Sequence, residues 1–386
     1  MVVYLIGFAA SLILIAMTEK KRTRIFVIAS AIALLIPCLI AGLRAQTIGT
    51  DVMVYVKPLT QAAIMADDLN DYFNSYWYAS WRNLYAMDYD IGFSLLVYVV
   101  AQLTDSLGAV LFAIQACMIL PIYLALTRTR KQFPVWLGML VYYFLSYNCT
   151  LNMMRQWVAM GFLLLAFQIL TEKKLCLTLL LTAVACMFHS TALIALPLYL
   201  IYWALNFLHG KRLVHNNFQI GAPMVVVMCL NVIAVAALFC LPLIVKVLSA
   251  VGLEHFNSYL VGNELRLMTN QIVLRIPFFL LLLLNWKDLT NQSKLAPFFL
   301  CMLLFDTVAA QLLSVDDMAF RIASYFSLYS ILWLPRVCAC NQQPLAQRFS
   351  TVFLVVYCVF YWYYNYVYSM RHGTYPYVFA PFPSMQ

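Results

Sequence analysis

The chain has 386 residues, of which 65% are hydrophobic and only 10% charged. A soluble protein carries about 25% charge and about 45–50% apolar residues, so a soluble globular enzyme is excluded. A net charge of +9 with no basic block standing free of an apolar stretch excludes nucleic-acid binding as well.

At roughly 20 apolar residues per crossing, the composition furnishes about a dozen membrane spans. The apolar stretches run from end to end, which predicts an all-α polytopic helix bundle forming one integral membrane domain over residues 1–386. The first span, 2–17, precedes its positive charges Lys20, Lys21, Arg22 and Arg24. A cleaved signal peptide has the opposite order, so an uncleaved span is expected. The crossings predicted in chain order are 2–17, 25–43, 107–126, 133–147, 157–171, 175–188, 191–208, 220–248, 272–286, 295–313, 322–334 and 349–368. The apolar run Ile91 to Leu103 has only 13 residues and reads as re-entrant or interfacial.

Basic residues set the orientation, because short cytoplasmic loops are enriched in Lys and Arg. With both termini outside, 15 of the 24 Lys and Arg fall on the inner side and 8 outside, with Arg275 just inside a span. The inner loops are short. Two outer segments are long, 44–90 and 249–271, and the first is rich in aromatic residues. The eleven cysteines are scattered, mostly within apolar runs, without zinc or iron–sulfur spacing.

Ionisable groups at span ends need a reason, since each costs several kcal/mol in hydrocarbon. Arg44 closes the second span, and Asp51 follows in the loop. Asn148, Asn152 and Arg155 stand at i, i+4 and i+7, one face if helical, and Gln156 opens the next span. His189 separates two spans, Arg275 precedes Pro277, and Arg321 follows Asp316 and Asp317. Arg155, His189, Arg275 and Arg321 are all expected at N-terminal helix ends, where free N–H groups already concentrate positive potential. Adding cations there is poor helix design and good phosphate-site design. At His189 the same field favours the neutral imidazole that a general base needs. The bland alternatives are snorkelling arginines, a structural histidine, a turn-capping Asp51, a buried Arg275–Asp306 bridge and an aromatic belt. Trp77 and Trp81 stand far enough from a span to serve as sugar-stacking platforms.

These residues, in this order, resemble the EpsG family of Wzy-like polysaccharide polymerases. The matching pieces are Gly42-Leu43-Arg44, Ile48-Gly49-Thr50-Asp51 with Tyr55, and Asp90-Ile91-Gly92-Phe93. They continue with Met154-Arg155-Gln156 and Ala159, Phe188-His189-Ser190-Thr191-Ala192-Leu193, Phe320-Arg321 with Tyr325-Phe326, and Pro376-Tyr377. Asp90 departs from the pattern, since glutamate is common there. The resemblance implies a bacterial inner-membrane enzyme with a periplasmic active face. It would join oligosaccharide repeat units carried on undecaprenyl pyrophosphate, without nucleotide sugar, metal or other cofactor. The products are O-antigen, capsule or exopolysaccharide. Membrane lipids, a chain-length regulator and a flippase are the partners such an enzyme would meet.

A pyrophosphate leaving group then assigns Arg44, Arg155, Arg321 and Arg275 to its binding, His189 or Asp51 to the general base, and Asn152, Gln156, Trp77 and Trp81 to the substrate. The rival functions are a flippase or transporter of the same lipid-linked sugar, or another membrane transferase such as an O-antigen ligase. Transporters place binding groups near the midplane and often carry internal repeats; here the polar groups gather at span ends, and no repeat is visible.

Overall fold

The computed structural model describes residues 1–19, 24–79, 82–215, 218–241, 243, 246 and 265–380. Its helices in chain order begin with α1 (Val2–Thr18), α2 (Arg24–Gly42), α3 (Lys57–Met65) and α4 (Leu69–Asn74). A hairpin of β1 (Tyr76–Ala79) and β2 (Arg82–Tyr85) precedes α5 (Ile91–Thr104) and α6 (Leu107–Arg128). Then come α7 (Val135–Val141), α8 (Tyr147–Thr150), α9 (Met154–Thr171), α10 (Leu175–Phe188) and α11 (Ala195–Phe207). A second hairpin, β3 (Arg212–His215) with β4 (Phe218–Gly221), leads into α12 (Ala222–Phe239). The remainder is α13 (Thr269–Val273), α14 (Ile276–Leu284), α15 (Trp286–Gln292), α16 (Ala296–Ala309), α17 (Asp317–Ser327), α18 (Ser330–Ala339) and α19 (Pro344–Trp362).

An all-α membrane fold is what the composition demands, and both sheets are two-stranded antiparallel hairpins. The twelve expected crossings are not all present as such. Among the described residues, six helices are long and apolar enough to cross: 107–128, 154–171, 190–207, 222–239, 296–314 and 344–368. Six more apolar helices are shorter, 10–17 residues each. The expected span 133–147 is instead α7 followed by a π-helix over Tyr142–Ser146 and then α8. Likewise 322–334 is interrupted between α17 and α18, where Leu328 and Tyr329 are buried. Conversely, residues 52–65, expected as loop, form a continuous apolar helix. Residues 249–264 of the second long segment lie outside the described residues.

The chain divides into two compact units, Met1–Ala195 with Val355–Gln386, and Leu196–Leu354. In the first, helices pack in the sequence α10, α9, α6, α2, α1, with α5 against α3, α6 and α10. Its core is aromatic. Phe8 stacks on Tyr143 at 5.0 Å and 7°, and Tyr147 and Trp362 meet Tyr4 edge-on. Buried hydroxyls in this core are satisfied, as an apolar solvent requires. Ser11 Oγ and Tyr143 Oη lie 2.7 Å apart, and the Tyr147 hydroxyl donates to the Pro37 carbonyl at 2.5 Å.

In the second unit α16 packs against α12 and α17, and α14 against α18. A single buried ion pair ties α14 to α16: Arg275 Nε and Nη2 donate to Asp306 Oδ2 and Oδ1 at 2.7 and 2.8 Å. Arg275 Nη1 also donates to the Gln271 carbonyl at 2.9 Å. A bidentate pair this deeply buried is costly to break one-sidedly, since the remaining charge keeps its desolvation penalty. Asp306→Ala is therefore expected to destabilise the protein by roughly 3–5 kcal/mol, read as a lowered melting midpoint in detergent. The double change Arg275→Met with Asp306→Leu should recover most of that loss. An Asp306→Ala midpoint equal to wild type would refute the bridge.

Candidate functional site

The first unit gathers most of the out-of-place polar residues at one end of α2, α5, α9 and α10. Asp90 stands directly before α5 and organises the cluster. Gly92 makes this possible: a Cβ there would meet the Met187 carbonyl oxygen at 2.9 Å, so only glycine lets the start of α5 touch the end of α10. Asp90 Oδ2 accepts from Arg155 Nη1 at 2.7 Å and lies 3.5 Å from His189 Nδ1. Its other oxygen accepts the Ser190 backbone N–H at 3.1 Å. Burial alone would raise the Asp90 pKa. The hydrogen bond from His189 and the charge of Arg155 outweigh it and hold the carboxyl below its ordinary range.

Arg155, in the first turn of α9, is stacked as well as paired. Its guanidinium carbon sits 4.9 Å from the Tyr89 ring centroid and 5.2 Å from that of Tyr55. Trp77 stacks on the other side of this layer, its ring 5.8 Å from Tyr89 at 12°. Its indole Nε1 is buried without a partner among the described residues. Trp81 lies outside them. The Tyr55 hydroxyl donates to Asp51 Oδ2 at 2.7 Å.

A second layer is built around Asn152. Its Oδ1 accepts from Thr50 Oγ1 at 2.8 Å and from the Asp51 N–H at 3.2 Å. Its Nδ2 lies 3.4 Å from His372 Nδ1. Gly49 allows the loop to come this close, with φ at +83° and a Cβ position only 2.5 Å from the Leu151 carbonyl oxygen. The common helical face expected for Asn148, Asn152 and Arg155 is not formed. Asn152 lies in the turn between α8 and α9, where Met153 leaves helical geometry (φ −86°, ψ 56°). Asn148 instead points into the core, accepting from Trp362 Nε1 and donating to Thr374 Oγ1.

Arg44 is the anomaly. It is only 3% exposed, and its one hydrogen bond among the described residues goes from Nη2 to the Met154 sulfur at 3.4 Å. Nε and Nη1 are buried with no partner, and none of the described ion pairs includes it. Tyr147, Tyr4, Tyr377 and Tyr55 are the groups that bear on it electrostatically. The C-terminal segment covers it: Arg44 bridges Phe379, Ala45 N–H donates to the Val378 carbonyl, and Ala380 N–H donates to that of Leu43.

The family model described as EpsG family matches residues 27–379. The chain belongs to the EpsG family. That family is Wzy-like, and it makes this a polysaccharide polymerase-like membrane protein, a glycosyltransferase-like enzyme in general kind. No curated protein and no solved structure matches the chain. Of the residues singled out from sequence, this EpsG-family chain unites Arg44, Asp51, Asn152, Arg155 and His189 in one neighbourhood, with Gln156 buried beside Arg155. Arg275 and Arg321 belong to the second unit, Arg275 in the ion pair with Asp306 and Arg321 in the second turn of α17. Asp90 and His372 were not among the expected site residues. The motif Asp90-Ile91-Gly92 was the available signal for the first.

The depressed Asp90 pKa fixes the sign of a pH test. Its stabilisation is complete above the unfolded value and is lost only as pH falls through the folded one. Asp90→Asn should therefore melt below wild type at pH 7 and still at about pH 5, the gap closing only in stronger acid. Equal midpoints at neutral pH would contradict the ion pair with Arg155.

Proposed function

We propose that this EpsG-family protein is a Wzy-type polymerase joining undecaprenyl-pyrophosphate-linked repeat units at the periplasmic face of the inner membrane. The observation that carries the reading is Arg44, a buried cation with two donor nitrogens unsatisfied and no ion-pair partner among the described residues. Such a charge is expensive in a low-dielectric site, and a diphosphate is the ligand that would relieve it. Arg forks match phosphate oxygens in pairs.

In the proposed reaction a sugar hydroxyl of the acceptor unit attacks the anomeric carbon of the donor chain. The bond from that carbon to the phosphate oxygen breaks, and its electron pair leaves with the carrier diphosphate toward Arg44. The hydroxyl proton passes to His189 Nε2, while Asp90 holds Nδ1 and the tautomer that makes Nε2 basic. One base opposite the leaving group gives inversion at the anomeric carbon. Arg155, paired with Asp90, holds that carboxylate in place beside His189. Asp51 fixes Tyr55 under Arg155, and Trp77 and Asn152 contribute the sugar-facing surface. The reading rests on first-unit residues; Arg275 is satisfied by Asp306.

Arg44→Met separates this role from a structural one. Removing an unpaired buried charge should hold or raise the melting midpoint of purified protein, whereas losing a structural contact would lower it. In a host that makes the polymer, the same variant should lose long chains while single-repeat product persists, a fall in rate of about a hundredfold or more. Wild-type chain lengths from Arg44→Met would overturn the proposal.

A further inference from the structure

The second unit holds an open pocket of about 180 Å³ that plays no part in the reaction just described. Its wall is formed by the turn after α11, the base of the β3–β4 hairpin, the start of α12 and the helix–turn of α15. Lys211 and Arg212 bring positive charge to it, His209, Trp286 and Ser293 also line it, and no carboxylate is among its described lining residues.

Its level in the membrane follows from the elements that meet there. Three of the candidate membrane helices begin or end beside it: 190–207 stops just before His209, 222–239 starts just after Gly221, and 296–314 starts just after Ser293. Phe207, 72% exposed, carries the Lys211 ammonium over its ring at 3.9 Å, and Trp286 lines the same pocket as Lys211. Lys above an exposed aromatic ring, with Trp nearby, marks the bilayer–water interface.

The donors also define the ligand. Ser293 is buried; its Oγ accepts the Leu295 N–H at 3.2 Å, so the hydroxyl proton remains available to an acceptor. Thr290, by contrast, already donates to the Trp286 and Lys287 carbonyls. Two cationic side chains and an available O–H, with no acid among the described lining residues, suit a phosphate. The absence of a lining carboxylate leaves a choline or ethanolamine ammonium without a counter-charge. Pro223, Met224 and Pro297 make the rest of the wall apolar, and α12 rising from it is only 17% buried in its apolar window, a surface along which acyl chains can lie.

We propose that this cavity binds the phosphate of an anionic glycerophospholipid, with the lipid's tails running along α12. Basic pockets between membrane helices recognise headgroups in this way. The site is separate from Arg44 and independent of the polymerase reading.

Native mass spectrometry of the purified full chain, titrated with phosphatidylglycerol and phosphatidylcholine, tests it. Wild type is expected to bind phosphatidylglycerol at least about tenfold more tightly, because two or more basic groups act on the net negative headgroup. Lys211→Gln with Arg212→Gln should weaken that binding roughly thirtyfold, and Ser293→Ala about tenfold through loss of a charge-assisted hydrogen bond. Lys173→Gln with Lys174→Gln, equal charge removed from another loop, should leave it unchanged. Equal binding of both lipids, or equal loss in the control, would overturn the proposal. Displacement of the lipid by millimolar inorganic phosphate would do so too, by making the pocket a site for free phosphate.

Discussion

The structure turns on a guanidinium that has been taken out of water and has no ion-pair partner among the described residues. Arg44 follows directly on an apolar helix, lies under the C-terminal segment, and faces tyrosines and a thioether in place of a carboxylate. Folding energy alone would not retain it, because a methionine of similar length would fill the same space without the desolvation penalty. Two other inward-facing cations among the described residues have carboxylate partners. Arg275 has both oxygens of Asp306, and Arg155 has Asp90 and two aromatic faces. Against them Arg44 stands as a fully buried arginine with no carboxylate partner among the described residues. A ligand that brings two phosphates fits that position.

The rest of the cluster follows from two close backbone approaches. Gly92 seats the start of α5 on the end of α10, which carries Asp90 to His189 and Ser190. Gly49 seats the 45–51 loop on the turn between α8 and α9, which carries Asp51 and Thr50 to Asn152. Between them Tyr55 is shared: it donates to Asp51, lies under Arg155 and contributes to the field at Arg44. Asp51, Tyr55, Arg155, Asp90 and His189 are thus joined through successive side-chain contacts, on helices whose core is aromatic and closely packed.

Much of this was legible in the sequence, because cations at the ends of apolar runs violate a strong rule of membrane composition. Arg44, Arg155 and His189 stood out for that reason, and the first unit brings them together. The Asp90 contacts were not legible, since Asp90 and His189 are 99 residues apart and their meeting depends on how α5 and α10 pack. His372 is further still, 220 residues from Asn152, on a segment that has no periodicity to read. The helix over 52–65 did leave a signal. Its buried residues Val52, Tyr55, Val56, Leu59 and Ala63 recur at helical spacing, but polar neighbours and Pro58 gave the stretch the look of a loop. The π-helix at 142–146 and the breaks near 153 and 328 left none, because local backbone registers of this kind are set by tertiary packing. At those points the expected span count is not confirmed and the single face of Asn148, Asn152 and Arg155 is not formed.

The central claim concerns a binding equilibrium, and it is tested most directly without any sugar chemistry. Titration of a short-chain prenyl pyrophosphate into purified wild-type protein and Arg44→Met, followed by calorimetry, measures whether the buried guanidinium takes up the diphosphate. The account predicts saturable binding by wild type and a loss of at least about tenfold in affinity for the variant, from the missing charge-assisted hydrogen bonds. The same affinity for both proteins would contradict it.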